Sequence, residues 1–190
     1  MMRQSREDRE RIIKILVGSF AENKSVRSIC GDDTRKRRKL MEYAFNYCNA
    51  FGKVYLSEDR QACALVLFPE KKSTTLRTLI WDVSLATRVV GLSKLFNIIK
   101  KEAAINRHHP ICPIYYLWFL GVDPAVQGSG RGSALMEQLL EDANAMARPV
   151  YLETSNPANL AFYKSMGINV YRELSVGYKI YLLNNCSIIE

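Results

Sequence analysis

Cysteine is sparse and unpatterned in this chain of 190 residues. Cys30, Cys48, Cys63, Cys112 and Cys186 form no C-x-x-C pair and are odd in number, which argues against a disulfide framework or a structural zinc site. Long apolar runs are missing as well, so no segment reads as a membrane span. The opening stretch MMRQSREDRERIIKILVGSF is charged ahead of a short apolar run and has no small-residue cleavage site, unlike a secretory signal. A cytoplasmic setting is expected. Low-complexity segments and internal repeats are absent too, and with 48% hydrophobic and 24% charged residues the chain should fold as one soluble globular domain spanning 1–190.

A basic excess is absent from the C-terminal part. Residues 1–110 carry 22 Lys and Arg against 12 Asp and Glu, whereas residues 111–190 carry 5 against 7. The densest basic cluster is TRKRRK at 34–39. It could meet an anion or a nucleic acid, but a solvated helix face explains it as well.

What is present is an alternation of helix and strand patterns. Ile12, Ile13, Leu16 and Phe20 recur at helical spacing behind Ser5 as N-cap, and Leu40, Ala44, Tyr47 and Phe51 form a second stripe ended by Gly52. KVYLS and QACALVLFP read as a strand hairpin stopped by Pro69. Residues 74–106 have the periodicity of one or two inserted helices with a break at Gly91. After NRHHPICP, the aromatic and β-branched IYYLWFLGV is a buried strand. A helix over 129–147, the strand VYLET, a helix over 157–166 and the strands INVYREL and VGYKIYLL complete the chain. The expected fold is α/β in the α+β sense: three layers, with a mixed, mostly antiparallel sheet flanked by helices.

Glycine numbers only ten, yet Gly128, Gly130 and Gly132 fall within five residues, between a strand and a helix. A helix start offers unpaired N–H groups and about half a positive charge, and glycines let those groups approach an anion closely. The spacing is not G-x-G-x-x-G, since residue 133 is serine, and no Gly-Lys-Ser/Thr follows. It is Q-x-x-G-x-G, from Gln127 to Gly132, which a plain helix-capping turn could also use.

The order LGVDPAVQGSGRGSALM, then LETSNPANLAFYKSMG, resembles the GCN5-related N-acetyltransferase (GNAT) family over roughly residues 114–174. Together with HHP and YYLWFLGV it is similar to the branch that includes puromycin N-acetyltransferase. MGI at 166–168 departs from the family's usual Gly-Phe, a change expected to affect packing only. The resemblance implies direct transfer of acetyl from acetyl-CoA, as acyl-donor substrate, to an amine in a ternary complex, with no metal. Gln127, Gly128, Ser129, Gly130, Arg131 and Gly132 would cradle the pyrophosphate. Leu120 and Val122 would offer backbone groups to the pantetheine arm and the oxyanion, with Gly121 suited to a local distortion, and Asn159 would lie near the pantetheine or phosphates. Tyr163, four residues after Asn159 and on the same helix face, would protonate the CoA thiolate.

An alkylamine with a pKa of about 10.4 must lose a proton before attack. Glu153 is the first choice for the base and the pair His108 and His109 the second; Glu153 could instead cap the TSNPAN turn, and the histidines could be ordinary loop residues. The expected acceptor is a small-molecule amine, with a protein amine possible. Tyr115, Tyr116 and Trp81 could line an apolar acceptor pocket or belong to the core. No nucleic-acid or membrane partner is expected, and the chain would be a monomer or homodimer. Two other classes remain: a catalytically silent CoA-sensing domain, and a basic nucleic-acid-binding module using Arg35, Lys36, Arg37, Arg38 and Lys39.

Overall fold

A computed structural model describes residues 5–186. The chain begins with three helices, α1 (Arg6–Ser19), α2 (Lys24–Cys30) and α3 (Thr34–Phe51), followed by strands β1 (Gly52–Leu56) and β2 (Ala62–Leu67). Helices α4 (Leu76–Leu85) and α5 (Leu92–Asn106) precede the central strand β3 (Tyr115–Val122). Then come α6 (Arg131–Ala145), β4 (Val150–Thr154), α7 (Asn159–Ser165) and the hairpin β5 (Asn169–Ser175) and β6 (Lys179–Asn184). The strands form one sheet in the order β1-β2-β3-β4-β6-β5, with β3 and β4 parallel and every other pair antiparallel.

Local chemistry explains most boundaries. The Ser5 side chain accepts the Asp8 N–H at 3.0 Å and starts α1, while Asp33 accepts from Arg35 and Lys36 and starts α3. Gly52 follows α3, but not as a left-handed cap: its φ is −160°. A Cβ there would stand 1.9 Å from the Val66 carbonyl oxygen, so the residue is glycine because β1 and β2 approach too closely for a side chain. The expected break at Gly91 is present, with φ at 76°, and is preceded by a π-helical turn over Ala86–Val90 that periodicity does not reveal.

Two apolar layers cover the sheet. Ile12, Leu16, Met41 and Phe45 of α1 and α3 pack on one face against Cys63, Leu65 and Phe119. On the other, Met136 and Leu139 of α6 and Tyr163 of α7 pack against Val66, Tyr115, Leu117 and Leu152. Ile168, the departure from Gly-Phe, is fully buried in this second layer. A smaller cluster of Ile105, Ile180 and Leu182 seats the end of α5 against β6. No disulfide joins the five cysteines. Among the described residues no helix is long and apolar enough to cross a membrane.

The basic cluster at 34–39 lies on the first turns of α3. Arg38 pairs with Glu10 and Glu42, while Arg37 is buried and donates to the Val17 carbonyl at 3.4 Å. A structural role therefore absorbs part of the charge.

An unforeseen polar knot ties the sheet to α6. The Asp142 carboxylate accepts from Lys53 at 2.6 Å, Tyr55 at 2.5 Å and Tyr115 at 3.0 Å. Burial pushes the acid up, but the three donors outweigh it and hold the carboxyl below its ordinary range. Asp142→Ala leaves three donors without their acceptor, and an expected loss of about 2–3 kcal/mol is readable by urea denaturation. An unchanged midpoint would show that water replaces the carboxylate at no cost.

Candidate active site

The sheet opens at its centre. Strand β3 pairs with β2 over its length, but Leu65 faces Phe119 and Val66 faces Leu117, so Trp118 is an extra residue. Such a bulge bends and twists its strand. Against β4, β3 keeps only two partners, Tyr115 with Val150 and Tyr116 with Tyr151. Beyond Tyr116 the two strands part. The distortion expected at Gly121 is thus located at Trp118. Gly121 serves another end, since a Cβ there would meet the Ser19 hydroxyl at 2.6 Å and Leu16 at 3.0 Å, and its absence lets α1 lie against the strand.

A cleft of about 930 Å³ occupies this opening. Leu120 and Val122 line it on the β3 side, Ser19, Phe20 and Asn23 where α1 turns into α2, and Gln127, Gly128, Gly130, Arg131 and Gly132 along the loop into α6. Ser155, Asn159 and Tyr163 line the far wall. The structure therefore brings together nearly every residue that the sequence pattern assigned to the cofactor.

The loop's form follows from its residues. Asp123 caps a short 3-10 turn over Pro124–Val126 through the Ala125 N–H. The Gln127 side chain donates back to the Val122 carbonyl at 3.3 Å, and the Ser129 hydroxyl donates to Val126. Gly128 and Gly130 adopt φ of 78° and 82°, the left-handed region costly for other residues. No side chain caps α6, so the N–H groups of its first turn, which lack intrahelical partners, are available to an anion. Arg131 does not simply project into the cleft: its Nε donates to Asp59 at 2.6 Å and its Nη1 to the Ser129 hydroxyl at 2.7 Å, fastening the loop to the β1–β2 turn.

On the far wall, Asn159 donates to the Thr154 hydroxyl at 3.4 Å. Tyr163 is buried, and burial raises its phenol to about 12. Ser155, which the sequence reading passed over, is buried with a hydroxyl that has no hydrogen-bond partner. An orphaned hydroxyl on a cleft wall is what an amide-bearing arm such as pantetheine could satisfy, and the bare helix start fits a pyrophosphate. The donor set fits acetyl-CoA.

Glu153 stands apart from the cleft lining. Strand alternation turns it to the face opposite Leu152, where Tyr116 donates to its Oε2 and His109 Nε2 lies 3.1 Å from its Oε1. The turn capped in its place belongs to Thr154, whose hydroxyl accepts the Asn156 N–H. First and second choices for the base thus form one unit, through His109. The His108 backbone carbonyl accepts from Tyr171. Burial and the neighbouring Glu153 drive the Tyr116 phenol far above its ordinary range. The proposed aromatic acceptor trio does not assemble: Tyr115 is buried with Asp142 on the α6 face, and Trp81 packs on Tyr47 at 5.6 Å.

Residues 85–168 match the acetyltransferase (GNAT) family. Over 55 residues the chain is 47% identical to the N-alpha-acetyltransferase RimI of Mycobacterium tuberculosis, a stretch covering 28% of this chain and 34% of that relative. The fold is similar to that of a histone acetyltransferase HPA2 and related acetyltransferase of Corynebacterium glutamicum, with a TM-score of 0.70 at 19% identity over 100% of this chain and 96% of the other. It is also similar to that of arylalkylamine N-acetyltransferase 2 from Aedes aegypti, with a TM-score of 0.64 at 14% identity over 100% and 98%. By sequence over residues 85–168 the chain is similar to the GNAT acetyltransferase family, and across the described residues its fold is similar to that of solved acetyltransferases.

Proposed function

We propose that the chain is an acetyl-CoA-dependent N-acetyltransferase acting on the amine of a small molecule. One observation carries the reading: the parted strands β3 and β4 lead to an uncapped helix start, with Tyr163 and the orphaned Ser155 hydroxyl on the wall between. Acetyl-CoA supplies an electrophilic thioester carbonyl. The first-turn N–H groups of α6 hold its pyrophosphate, and the open edge of β3 around Leu120 and Val122 holds the pantetheine arm and the developing oxyanion. The amine enters from the opposite face, where Glu153 takes its proton while His109 and Tyr116 keep the carboxylate in place. As the new C–N bond forms and the C–S bond breaks, Tyr163 gives its proton to the departing thiolate.

The branch resemblance to puromycin N-acetyltransferase and the enclosed, aromatic surroundings of Glu153 support a small acceptor. A protein α-amine is the second reading, favoured by the match to RimI. Acetyl-CoA titration by calorimetry followed by thiol release over a panel of small amines and short peptides tests both. Release with small amines alone supports the first reading, and release with peptides alone replaces it with the second. Binding without turnover on either panel would leave a CoA sensor. Absence of binding, with salt-sensitive uptake of DNA or RNA, would return the chain to the basic nucleic-acid module.

Glu153→Gln keeps an acceptor for Tyr116 but removes the base. The expected result is kcat lower by about 10²-fold with unchanged acetyl-CoA affinity. An unaltered kcat would reduce Glu153 to a structural carboxylate.

A further inference from the structure

The inserted helices leave their apolar faces bare. Leu76, Leu79, Ile80 and Val83 form one stripe along α4 at helical spacing, and they are 77%, 51%, 59% and 53% exposed. Phe96 and Ile99 of α5 are 63% and 56% exposed. Soluble surfaces scatter large apolar side chains singly, so a stripe of four on one helix indicates a contact.

The charge around the stripe narrows what makes that contact. Residues 71–107 carry eight Lys and Arg against two Asp and Glu. One of those acids, Asp82, is engaged by the hydroxyls of Tyr43 and Tyr47. Lys71, Lys72, Arg77, Arg88, Lys100 and Arg107 are exposed, and the Lys100 ammonium lies 4.4 Å over the Phe96 ring. A second copy of this surface would bring like charges together across a two-fold axis. Nucleic acid would leave four aliphatic side chains facing phosphates and sugars with nothing to bury them. An anionic phospholipid surface satisfies both features: apolar side chains enter the acyl boundary while Lys and Arg remain among the headgroups.

We propose that the α4–α5 insertion docks the protein on anionic phospholipid membranes, with Leu76, Leu79, Ile80 and Val83 as the inserted edge. The sequence expectation of no membrane partner rested on the lack of a spanning run, which a helix lying in the interface does not need. The test is flotation of the full chain with vesicles of phosphatidylcholine alone and of phosphatidylcholine with about a third phosphatidylglycerol. Binding is expected only to the anionic vesicles and should fall as salt rises. Leu79→Asp with Ile80→Asp should cut it at least about tenfold, while melting temperature and acetyl-CoA affinity stay at wild-type values. No binding to anionic vesicles, or binding indifferent to the double substitution, overturns the proposal. So does a concentration-dependent dimer in lipid-free solution that the double substitution dissolves, because the stripe would then belong to a second copy.

Discussion

Gly132→Asp is expected to raise the dissociation constant for acetyl-CoA at least about 100-fold, or about 2.7 kcal/mol, without unfolding the protein. Gly132 lies in the first turn of α6 with an ordinary helical φ, and a Cβ there would meet only the Val122 methyl at 3.4 Å. A carboxylate at that position complements the helix dipole, so it favours the free protein by a few tenths to about 1 kcal/mol. The same carboxylate would stand at the proposed pyrophosphate site and repel that group. Stability and binding therefore move in opposite directions, which separates loss of the cradle from loss of the fold. Calorimetric titration beside a melting curve reads both quantities. Gly132→Ala, which adds bulk without charge, is expected to weaken binding far less. Equal affinity of wild type and Gly132→Asp would remove the pyrophosphate from this helix start and with it the central functional reading.

The second large effect belongs to Tyr163. Replacement by phenylalanine keeps the ring that packs with Leu152, Ile168 and Leu183 and removes only the hydroxyl. If that hydroxyl protonates the departing thiolate, kcat falls by about 10²–10³-fold, with acetyl-CoA affinity held near its wild-type value. A tyrosine that merely walls the cleft would change affinity at least as much as kcat.

Its titration adds a second readout. Burial raises the phenol to about 12, so the acid form persists through neutral and moderately alkaline pH and contributes no falling limb to the rate profile there. In the unfolded chain a tyrosine ionises near its reference value of about 10. Above that pH the unfolded state binds fewer protons than the native state, and stability falls as pH rises. The contribution is fully present below about 10. It is lost through the window up to about 12, where the native Tyr163 phenol titrates.

Much of this molecule was legible in order along the chain. Ser5 as a cap, the hairpin before Pro69, the break at Gly91 and the strand 150–154 are local matters, decided by capping chemistry and periodicity, and the structure contains each of them. The loop from Gln127 to Gly132 was legible for the same reason. Gly128 and Gly130 permit the left-handed backbone angles that the turn adopts, and the helix that follows starts without a side-chain cap.

What could not be read along the chain depends on partners distant in sequence. Trp118 becomes a bulge only because β2 supplies one residue fewer, and that mismatch, not Gly121, accompanies the parting of β3 from β4. Asp142 is an ordinary helix acid until Lys53, Tyr55 and Tyr115 arrive from two strands. Gly52 has the look of a helix cap, but its reason lies on the neighbouring strand at Val66. Glu153 and His109 are 44 residues apart, and only the packing of the segment after α5 over β4 joins them. The sequence by itself determined most of the secondary elements and the glycine turn into α6, because both follow from backbone angles and hydrogen-bonding groups within a few residues. Tertiary structure alone decided the opened seam, the Glu153–His109 unit and the bare stripe on α4, because pairing register and burial are properties of two segments at once.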